Sequence, residues 1–550
     1  MTEASPSNLD LLTRLVCTGS ENGYYNALER PDLSGQTPCL GSFLTKESGL
    51  GAVHRIRLIF NQKSFVSKEP LLFCLAKIIR STPVTESHKE DKVRQEAYIL
   101  VGQVCESADD LFTFVDLDKK VSESQKVGWG KGMRRLVNQW YESKTPRVLV
   151  SQVTKCKSAR GWSHRDLIRQ CHIPPGRKSK ATSLVVSYLL SGKKEIGNYE
   201  NSEEVEVKEV VSFLQALEAL NVSNPEEREL VRTLIEKHRF IERQIPSKLY
   251  KLVETYEGMI GHMSMEDLFQ SIPKMALLGM LDKTAHQSSM VIERISNTDA
   301  VKEQKVNPIV ILSALRKYTA NRCKRWVRNG QLIKALQSAF DTSVQILPKL
   351  SGKSILIGVH LEGEGRKKLH VKGATYVTPA IASAHLIKFM HQTEVTATHV
   401  FFNERVQDLP INPQTPIVEI LESLENCKVE DSNFDLAEPI KWAKQKRAKF
   451  ENILVISDLK KVTSAQNFQD TVKQYRSEVF LPNCKVAVLG LSELTTIVAD
   501  RKDLNLLEIS GLNGSALKLL LHFFKGDLDF DTDKDDEAVC SDAQCTQNAL

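Results

Sequence analysis

The chain has 550 residues, of which 41% are hydrophobic and 26% are charged, with 27 glycines and 19 prolines. This is the composition of an ordinary globular protein, and it excludes collagen-like, coiled-coil and largely disordered chains. The length exceeds what one hydrophobic core usually supports, so we predict two or three domains. The formal net charge is +6 at pH 7.

Membrane and secretory signals are weak in this sequence. The longest apolar run, residues 71–79, is too short for a membrane span and contains Lys77. The first ten residues lack the order of a signal peptide. Eleven scattered cysteines without a C-x-x-C pair indicate reduced thiols and argue against structural zinc or disulfides. We expect a cytoplasmic protein without membrane contact, and the sequence leaves a nuclear location open.

The first part of the chain, from Leu9 to about Leu347, has the pattern of a helical protein. Apolar residues recur at three and four positions, and prolines and glycines separate the runs. Many helices of middle length without a fixed repeat predict antiparallel helix pairs stacked into an irregular α-solenoid.

The pattern changes at Ser351, where short apolar runs begin to alternate with helical stretches. This alternation predicts a doubly wound parallel sheet with helices on both faces. The predicted strands are residues 354–359, 399–402, 452–457 and 484–489. The predicted helices are residues 378–390, 417–424, 439–449, 465–479 and 515–524. We therefore divide the chain into a flexible N-terminus, a helical-repeat domain, an α/β domain and an acidic disordered tail, at residues 1–8, 9–350, 351–526 and 527–550.

Positive charge is concentrated in one segment. Between Lys119 and Lys194 there are 18 Lys or Arg residues against three acidic ones. Such an imbalance is costly in self-repulsion unless an anion binds, and nucleic acid is the leading candidate partner. Three of the five tryptophans also lie here; aromatic rings can stack unpaired bases, but tryptophans at helical spacing are more often core residues.

The strongest local signal in this segment is a helix start. Ser163 followed three residues later by Asp166 is a capping-box pattern, so a helix should begin at Ser163 and stop at Pro174 and Pro175. Its apolar stripe would be Leu167, Ile168 and Cys171, with Arg165, Arg169 and His172 on a second face. The candidate RNA contacts of the whole segment are Lys131, Arg134, Arg135, Lys155, Lys157, Arg160, His164, Arg165, Arg169, His172, Arg177 and Lys178. The alternative is a solvated basic face whose last-turn cations complement the helix dipole.

Six strings in the chain resemble the TROVE-domain family of Ro ribonucleoproteins. They are LVCTGSENGYYN, GWGKGMRRLVNQWY, VTKCKSARGWSHRDLIRQCHIPP, LIEKHRFIERQI, NPIVILSALRKYTA and LIKALQSAFDTS. The resemblance implies a ring of HEAT-like helices closed by a von Willebrand factor A-like domain. It also implies a monomeric RNA quality-control scaffold, not an enzyme, that binds small noncoding Y RNA on an outer basic surface and the 3′ ends of misfolded small RNAs in the hole. By position, Lys155 and His172 match contact residues of the family, and Ala159 stands where the family has an arginine, next to Arg160.

The metal site of such A domains is degenerate in this sequence. The first-loop D-x-S-x-S pattern is replaced by His360, Glu362 and Glu364, and the threonine position is Phe434, so that Asp458 alone matches. Because Mg²⁺ requires near-octahedral oxygen ligands, we predict that the divalent metal is lost and that no cofactor is bound. The alternative is a transition-metal site formed by His360, Glu362, Glu364 and Asp458.

Two other functions compete with RNA binding. A nucleotide hydrolase is suggested by the triplet Gly352-Lys-Ser354, but the glycine that a phosphate loop requires upstream is Leu347. The other alternative is a protein-interaction scaffold that uses the A-type domain and binds RNA as an accessory.

Overall fold

The structure is a computed structural model of the chain. It describes residues 5–31, 33, 37–43, 48–81, 88–123, 128–174, 179–320, 325–361, 371–374, 376–403, 405–427, 435–458, 465–492 and 497–529. Within these ranges, none of the helices has the length and apolar character needed to cross a membrane.

The part of the chain before residue 350 is helical, as predicted. Its helices are α1 (Asn8–Thr18), α2 (Pro38–Ser42), α3 (Ser48–Gln62), α4 (Lys68–Ser81), α5 (His88–Val104), α6 (Ala108–Glu123), α7 (Lys131–Glu142), α8 (Pro146–Lys155), α9 (His164–Cys171), α10 (Lys180–Ser191), α11 (Val205–Val222), α12 (Arg228–His238), α13 (Val253–Ile260), α14 (Met265–Leu277), α15 (His286–Ser296), α16 (Thr298–Glu303), α17 (Pro308–Ala320) and α18 (Gly330–Gln345). Neighbouring helices pack together, for example α4 with α5 and α6, and α14 with α17. Their apolar faces bury one continuous core.

Three short strands interrupt the helical region. They are β1 (Tyr24–Asn26), β2 (Ser158–Ala159) and β3 (Trp162–Ser163). The last two pair with each other in an antiparallel hairpin between α8 and α9.

The second domain is a sheet covered by helices on both faces. Its strands are β4 (Ser354–His360), β5 (Thr396–Phe402), β6 (Val406–Leu409), β7 (Asn452–Ser457), β8 (Lys485–Gly490) and β9 (Leu506–Ser510). Its helices are α19 (Pro379–Gln392), α20 (Ile417–Asn426), α21 (Glu438–Gln445), α22 (Ala465–Glu478) and α23 (Gly514–Lys525). The strand order is β1-β9-β8-β7-β4-β5-β6, and all neighbours are parallel except β5 and β6. The predicted doubly wound sheet is therefore confirmed, with an added antiparallel edge strand.

The sequence patterns missed β1, β6 and β9. The strand β9 carries the charged residue Glu508 in its centre, and three of the four residues of β6 are exposed or half-buried, so neither has a typical apolar run. The strand β1 has three residues and pairs in parallel with β9, with Tyr24 opposite Glu508 and Asn26 opposite Ser510. Its pairing joins positions almost 500 residues apart, which no local pattern can indicate.

Both ends of the helical region contact the sheet domain. At the N-terminal end, the buried Arg14 of α1 donates hydrogen bonds to the carbonyl oxygens of Asp500, at 2.9 Å, and of Leu506. Near the C-terminal end, Ile309 and Leu312 of α17 belong to the core on the α23 face of the sheet. We call the first contact, formed by Arg14 and β1 against β9, the N-terminal clasp. Together the two contacts close the chain on itself.

Candidate nucleic-acid interface

Helices α7 and α9 carry most of the predicted RNA contacts. On α7, Met133, Val137 and Trp140 point into the core, and Lys131, Arg134 and Arg135 lie on the exposed side. This separation follows from the helical period, which places apolar residues on one stripe and leaves the cations outside.

The helix α9 begins with the predicted capping box. The Ser163 hydroxyl accepts from the Asp166 N–H at 3.3 Å, and the Asp166 carboxylate accepts from the Ser163 N–H at 2.9 Å. Leu167, Ile168 and Cys171 are buried as predicted. The helix ends before the prolines, because His172 adopts a left-handed conformation with φ of 53° and caps the last turn.

The exposed cations of the two helices lie on neighbouring elements, because α7 packs against α9. Arg134 lies close enough to Cys171 to oppose the rise in the pKa of that thiol, which burial raises to about 12. We call this set the outer basic surface: Lys131, Arg134, Arg135, Arg165, Arg169 and His172. All six side chains are exposed, and in the described part of the chain none has a carboxylate oxygen within 4 Å. Arg165 also donates to the Leu190 carbonyl oxygen, at 3.1 Å from Nε, so part of its guanidinium is committed to the end of α10.

His164 is not on this surface, which corrects the prediction from sequence. It is 1% exposed, and its ring contacts Phe112 and Trp140 in the core. Its Nδ1 lies 2.6 Å from the Tyr141 hydroxyl and its Nε2 lies 3.0 Å from the Cys156 carbonyl oxygen. Burial lowers the pKa of His164 to about 4, so the ring is neutral at pH 7 and serves packing.

Arg160 is likewise committed to a structural contact and is not free for phosphate. Its two terminal nitrogens each donate to a Glu69 carboxylate oxygen at 2.9 Å, and Asp116 lies 3.6 Å away. This bidentate pair fixes the β2–β3 hairpin against α4 and α6. Arg160 therefore does not stand in for the arginine that the family has at the position of Ala159.

Lys155 and Lys157 lie apart from the outer basic surface. Lys157 is exposed in the turn before the hairpin. Lys155 ends α8 and lines a cavity of about 1150 Å³ between the helical region and the sheet domain. Burial lowers the pKa of Lys155, and the carboxylate of Asp267 opposes this shift.

The cavity has mixed charge. Its described charged lining residues are five cations and four carboxylates: Lys155, Arg243, Lys274, Lys317, Lys518, Asp109, Glu242, Glu266 and Asp267. The N-terminus of α23 also contributes Asn513, Gly514 and Ser515. None of the residues of the outer basic surface lines this cavity. The remaining two predicted contacts, Arg177 and Lys178, lie outside the described residues.

The carboxyl end of the sheet places the two described members of the A-domain metal site together. His360 ends β4 and Asp458 follows β7, and their Nδ1 and Oδ1 atoms are 3.9 Å apart in a buried setting. Over the described residues, no three His, Cys, Asp or Glu side chains group closely enough to hold an ion. One imidazole and one carboxylate do not match the oxygen ligand set of Mg²⁺. Glu362, Glu364 and Phe434 lie outside the described residues, so metal loss stays a prediction.

Comparison with known protein families identifies the two domains of this architecture. Residues 63–325 match the TROVE domain family, and residues 355–524 match the family described as the Ro60 vWA domain. The chain therefore contains a TROVE domain. An A domain of the Ro60 type follows it.

Similarity to known proteins and to a solved structure extends over nearly the whole chain. A Caenorhabditis elegans protein named RNA-binding protein RO60 is 22% identical over 93% of this chain and 87% of its own length. A Deinococcus radiodurans protein of the same name is 21% identical, with 94% and 92% covered. The crystal structure of the Deinococcus radiodurans Ro (RSR) protein superposes with a TM-score of 0.80 at 20% identity, covering 95% of this chain and all of that one. This likeness shows the shared fold.

Proposed function

We propose that this protein binds structured small RNA through its outer basic surface. The observation that carries the proposal is a row of exposed cations on α7 and α9 that have no described carboxylate oxygen within 4 Å, with Asp166 as the one acidic residue of α9 near Arg165 and Arg169. Such cations are available to neutralise phosphates, which supplies most of the affinity of a protein for a nucleic acid. The RNA-binding names of the two relatives support the same partner.

The partner class that we propose is Y-type small noncoding RNA, with the 3′ ends of misfolded small RNAs as a second ligand in the cavity. The cavity volume and its lysines support the second site. In this proposal the protein is a monomeric, non-catalytic scaffold for RNA quality control. We place it in the cytoplasm, with access to the nucleus, and without a bound metal or cofactor.

The outer site is tested by reversing two charges whose side chains form no ion pair within 4 Å among the described residues. The double variant Arg134→Glu/Arg169→Glu should bind a synthetic hairpin RNA at least a hundredfold more weakly at physiological salt. The slope of log affinity against log salt should also become shallower by about 0.9 for each lost phosphate contact. Filter-binding or anisotropy titrations at several salt concentrations measure both quantities.

The matched control is Lys446→Glu/Arg447→Glu, which changes the net charge equally at exposed residues of the A-type domain. It should leave hairpin affinity within about threefold of wild type, because it alters only the long-range field. Equal losses in the two double variants would reject the outer basic surface. A wild-type protein that binds no RNA, and that purifies with protein partners after nuclease treatment, would favour the scaffold function instead.

A further inference from the structure

Two tryptophans lie side by side where α7 and α9 begin. Trp129 precedes Gly130, the N-cap of α7, and Trp162 precedes Ser163, the N-cap of α9. Their ring centroids are 5.5 Å apart and their planes are inclined by 33°. Both side chains are partly exposed. The third tryptophan of this segment, Trp140, differs because it is 4% exposed and donates its Nε1–H to the Cys105 carbonyl oxygen at 2.8 Å.

The backbone next to each tryptophan is anchored by an arginine that is paired with a carboxylate. Arg80 pairs with the buried Asp118, at 2.7 Å from Nε, and donates to the carbonyl oxygen of Gly128, the residue before Trp129. The Arg160–Glu69 pair fixes the hairpin that contains Trp162. An aromatic surface that is already ordered loses little conformational entropy when a ligand stacks on it.

The surroundings of the pair are open and positively charged. A Cβ added at Gly128, Gly130 or Gly161 would meet no other heavy atom within 4 Å, so the backbone on both sides leaves space. Lys119 is exposed, places its Nζ 5.8 Å from the Trp162 ring centroid, and forms an exposed ion pair with Glu123 at 3.9 Å, which a phosphate can replace. Lys131, a member of the outer basic surface, follows Trp129 by two residues. Cations next to an exposed aromatic face are the combination that recognises an unpaired nucleotide.

We propose that the Trp129–Trp162 pair stacks one unpaired base of an RNA whose phosphates contact the outer basic surface. The proposal rests on the proposed function and specifies its substrate class as structured RNA with a bulged or looped-out nucleotide. Because the two rings are already in contact, the base does not enter between them and stacks on the exposed face of the pair. Lys119 and Lys131 then contact the phosphates of that nucleotide. Stacking selects an unpaired base without selecting its identity, since every base has a π face.

The experiment uses the full chain and three synthetic hairpin RNAs that differ at one position: an unpaired nucleotide, an abasic residue, or a continuous duplex. Wild type should bind the RNA with the unpaired base about tenfold more tightly than the other two. The variant Trp129→Ala/Trp162→Ala should lose this preference and bind all three RNAs equally. Its salt slope should match that of wild type, because stacking removes no phosphate contact.

Three further variants separate stacking from a structural role. Trp129→Phe/Trp162→Phe keeps aromatic faces and should retain part of the preference, whereas Trp129→Leu/Trp162→Leu should not. Trp442→Ala, at a partly buried tryptophan of the A-type domain, should leave the preference intact. Should the alanine variant unfold, the abasic comparison on wild type and the phenylalanine variant still decide.

The outcomes distinguish this proposal from the function on which it rests. Wild-type protein that binds the three RNAs with equal affinity overturns the stacking site and leaves the outer basic surface standing. Wild-type protein that binds none of them overturns both. A preference that survives in the leucine variant also rejects stacking, because only the aromatic faces have been removed.

Discussion

The outer basic surface and the cavity both contain lysines or arginines, but they differ in how these charges are neutralised. On the outer basic surface none of the six cations has a described carboxylate oxygen within 4 Å, and Asp166 of α9 acts on Arg165 and Arg169 only at longer range. In the cavity Lys274 lies 2.5 Å from Glu242, and Asp267 acts on Lys155. The comparison teaches that the number of cations does not define an anion site. The electrostatic potential at a site also depends on the positions of nearby carboxylates. It is therefore more favourable for duplex phosphates at the outer basic surface than in the cavity.

The two regions also differ in how the chain builds them. The outer basic surface comes from α7 and α9, which pack together and lie within one segment, residues 131–172. The cavity requires residues from Ser107 to Lys518 and therefore depends on the contacts, including the N-terminal clasp, that close the chain on itself. Perturbing the clasp should affect the cavity and spare the outer surface.

The largest expected effect concerns Glu508, which lies in β9 opposite Tyr24 of the clasp. Burial raises the pKa of Glu508 from 4.5 to about 7, although its carboxylate accepts from the N–H groups of Val498 and Ala499. Between these pH values the folded chain keeps a proton that the unfolded chain releases, so stability falls as pH rises from about 4.5 to 7. The shift corresponds to roughly 3 kcal/mol. Thermal unfolding of Glu508→Gln should lack this part of the pH dependence.

The control for Glu508 is Glu419→Gln, an exposed glutamate in the first turn of α20. It should follow the wild-type stability curve across the same pH range. A Glu508→Gln variant with the same pH dependence of stability as wild type would show that burial in the clasp does not raise the pKa of Glu508. Hairpin RNA binding at the outer surface should change little in either variant at low temperature, where both remain folded.

An intermediate effect is expected from Lys155→Glu. Because Lys155 lines the cavity, its charge reversal should weaken binding of a single-stranded oligoribonucleotide about tenfold and leave the hairpin nearly unaffected. Lys157→Glu makes the same charge change two residues away, outside the cavity lining, and should not reproduce the loss. Anisotropy titrations of both probes with both variants measure the contrast, and a loss of hairpin affinity in Lys155→Glu would place this lysine with the outer surface.

The smallest effect should be a gain. Asp267→Asn removes a carboxylate that acts on Lys155, so single-stranded RNA should bind about threefold more tightly. The gain should vanish at high salt, because it arises from one screened interaction. Asp299→Asn, on α16 and outside the cavity lining, provides the matched control. Tighter hairpin binding in Asp267→Asn would mean that this carboxylate also lowers the electrostatic potential at the outer basic surface.

Much of the candidate site could be predicted because its signals are local. The capping box at Ser163, the buried stripe Leu167, Ile168 and Cys171, and the exposed Arg169 follow from spacing along one short helix. The strand at residues 452–457 agrees with β7 at both ends for the same reason, since all six residues are buried and the central four form an uninterrupted apolar run. Arg160 and His164 were predicted as exposed RNA contacts, but Arg160 pairs with Glu69 of α4 and His164 packs against Phe112 of α6. Contacts with other helices are not visible in local spacing.

The sequence by itself determined the two-domain order, the helices, the central parallel strands and the concentration of positive charge. These depend on hydrophobic period, capping residues and composition, which are properties of neighbouring residues. The tertiary structure decided where the predicted contacts lie. Arg160 forms an ion pair with Glu69, His164 is buried in the aromatic core, and Lys155 lines the cavity. It also decided that β1 completes the sheet. Contacts between residues far apart in the chain set burial and ion pairing, and no spacing pattern records them.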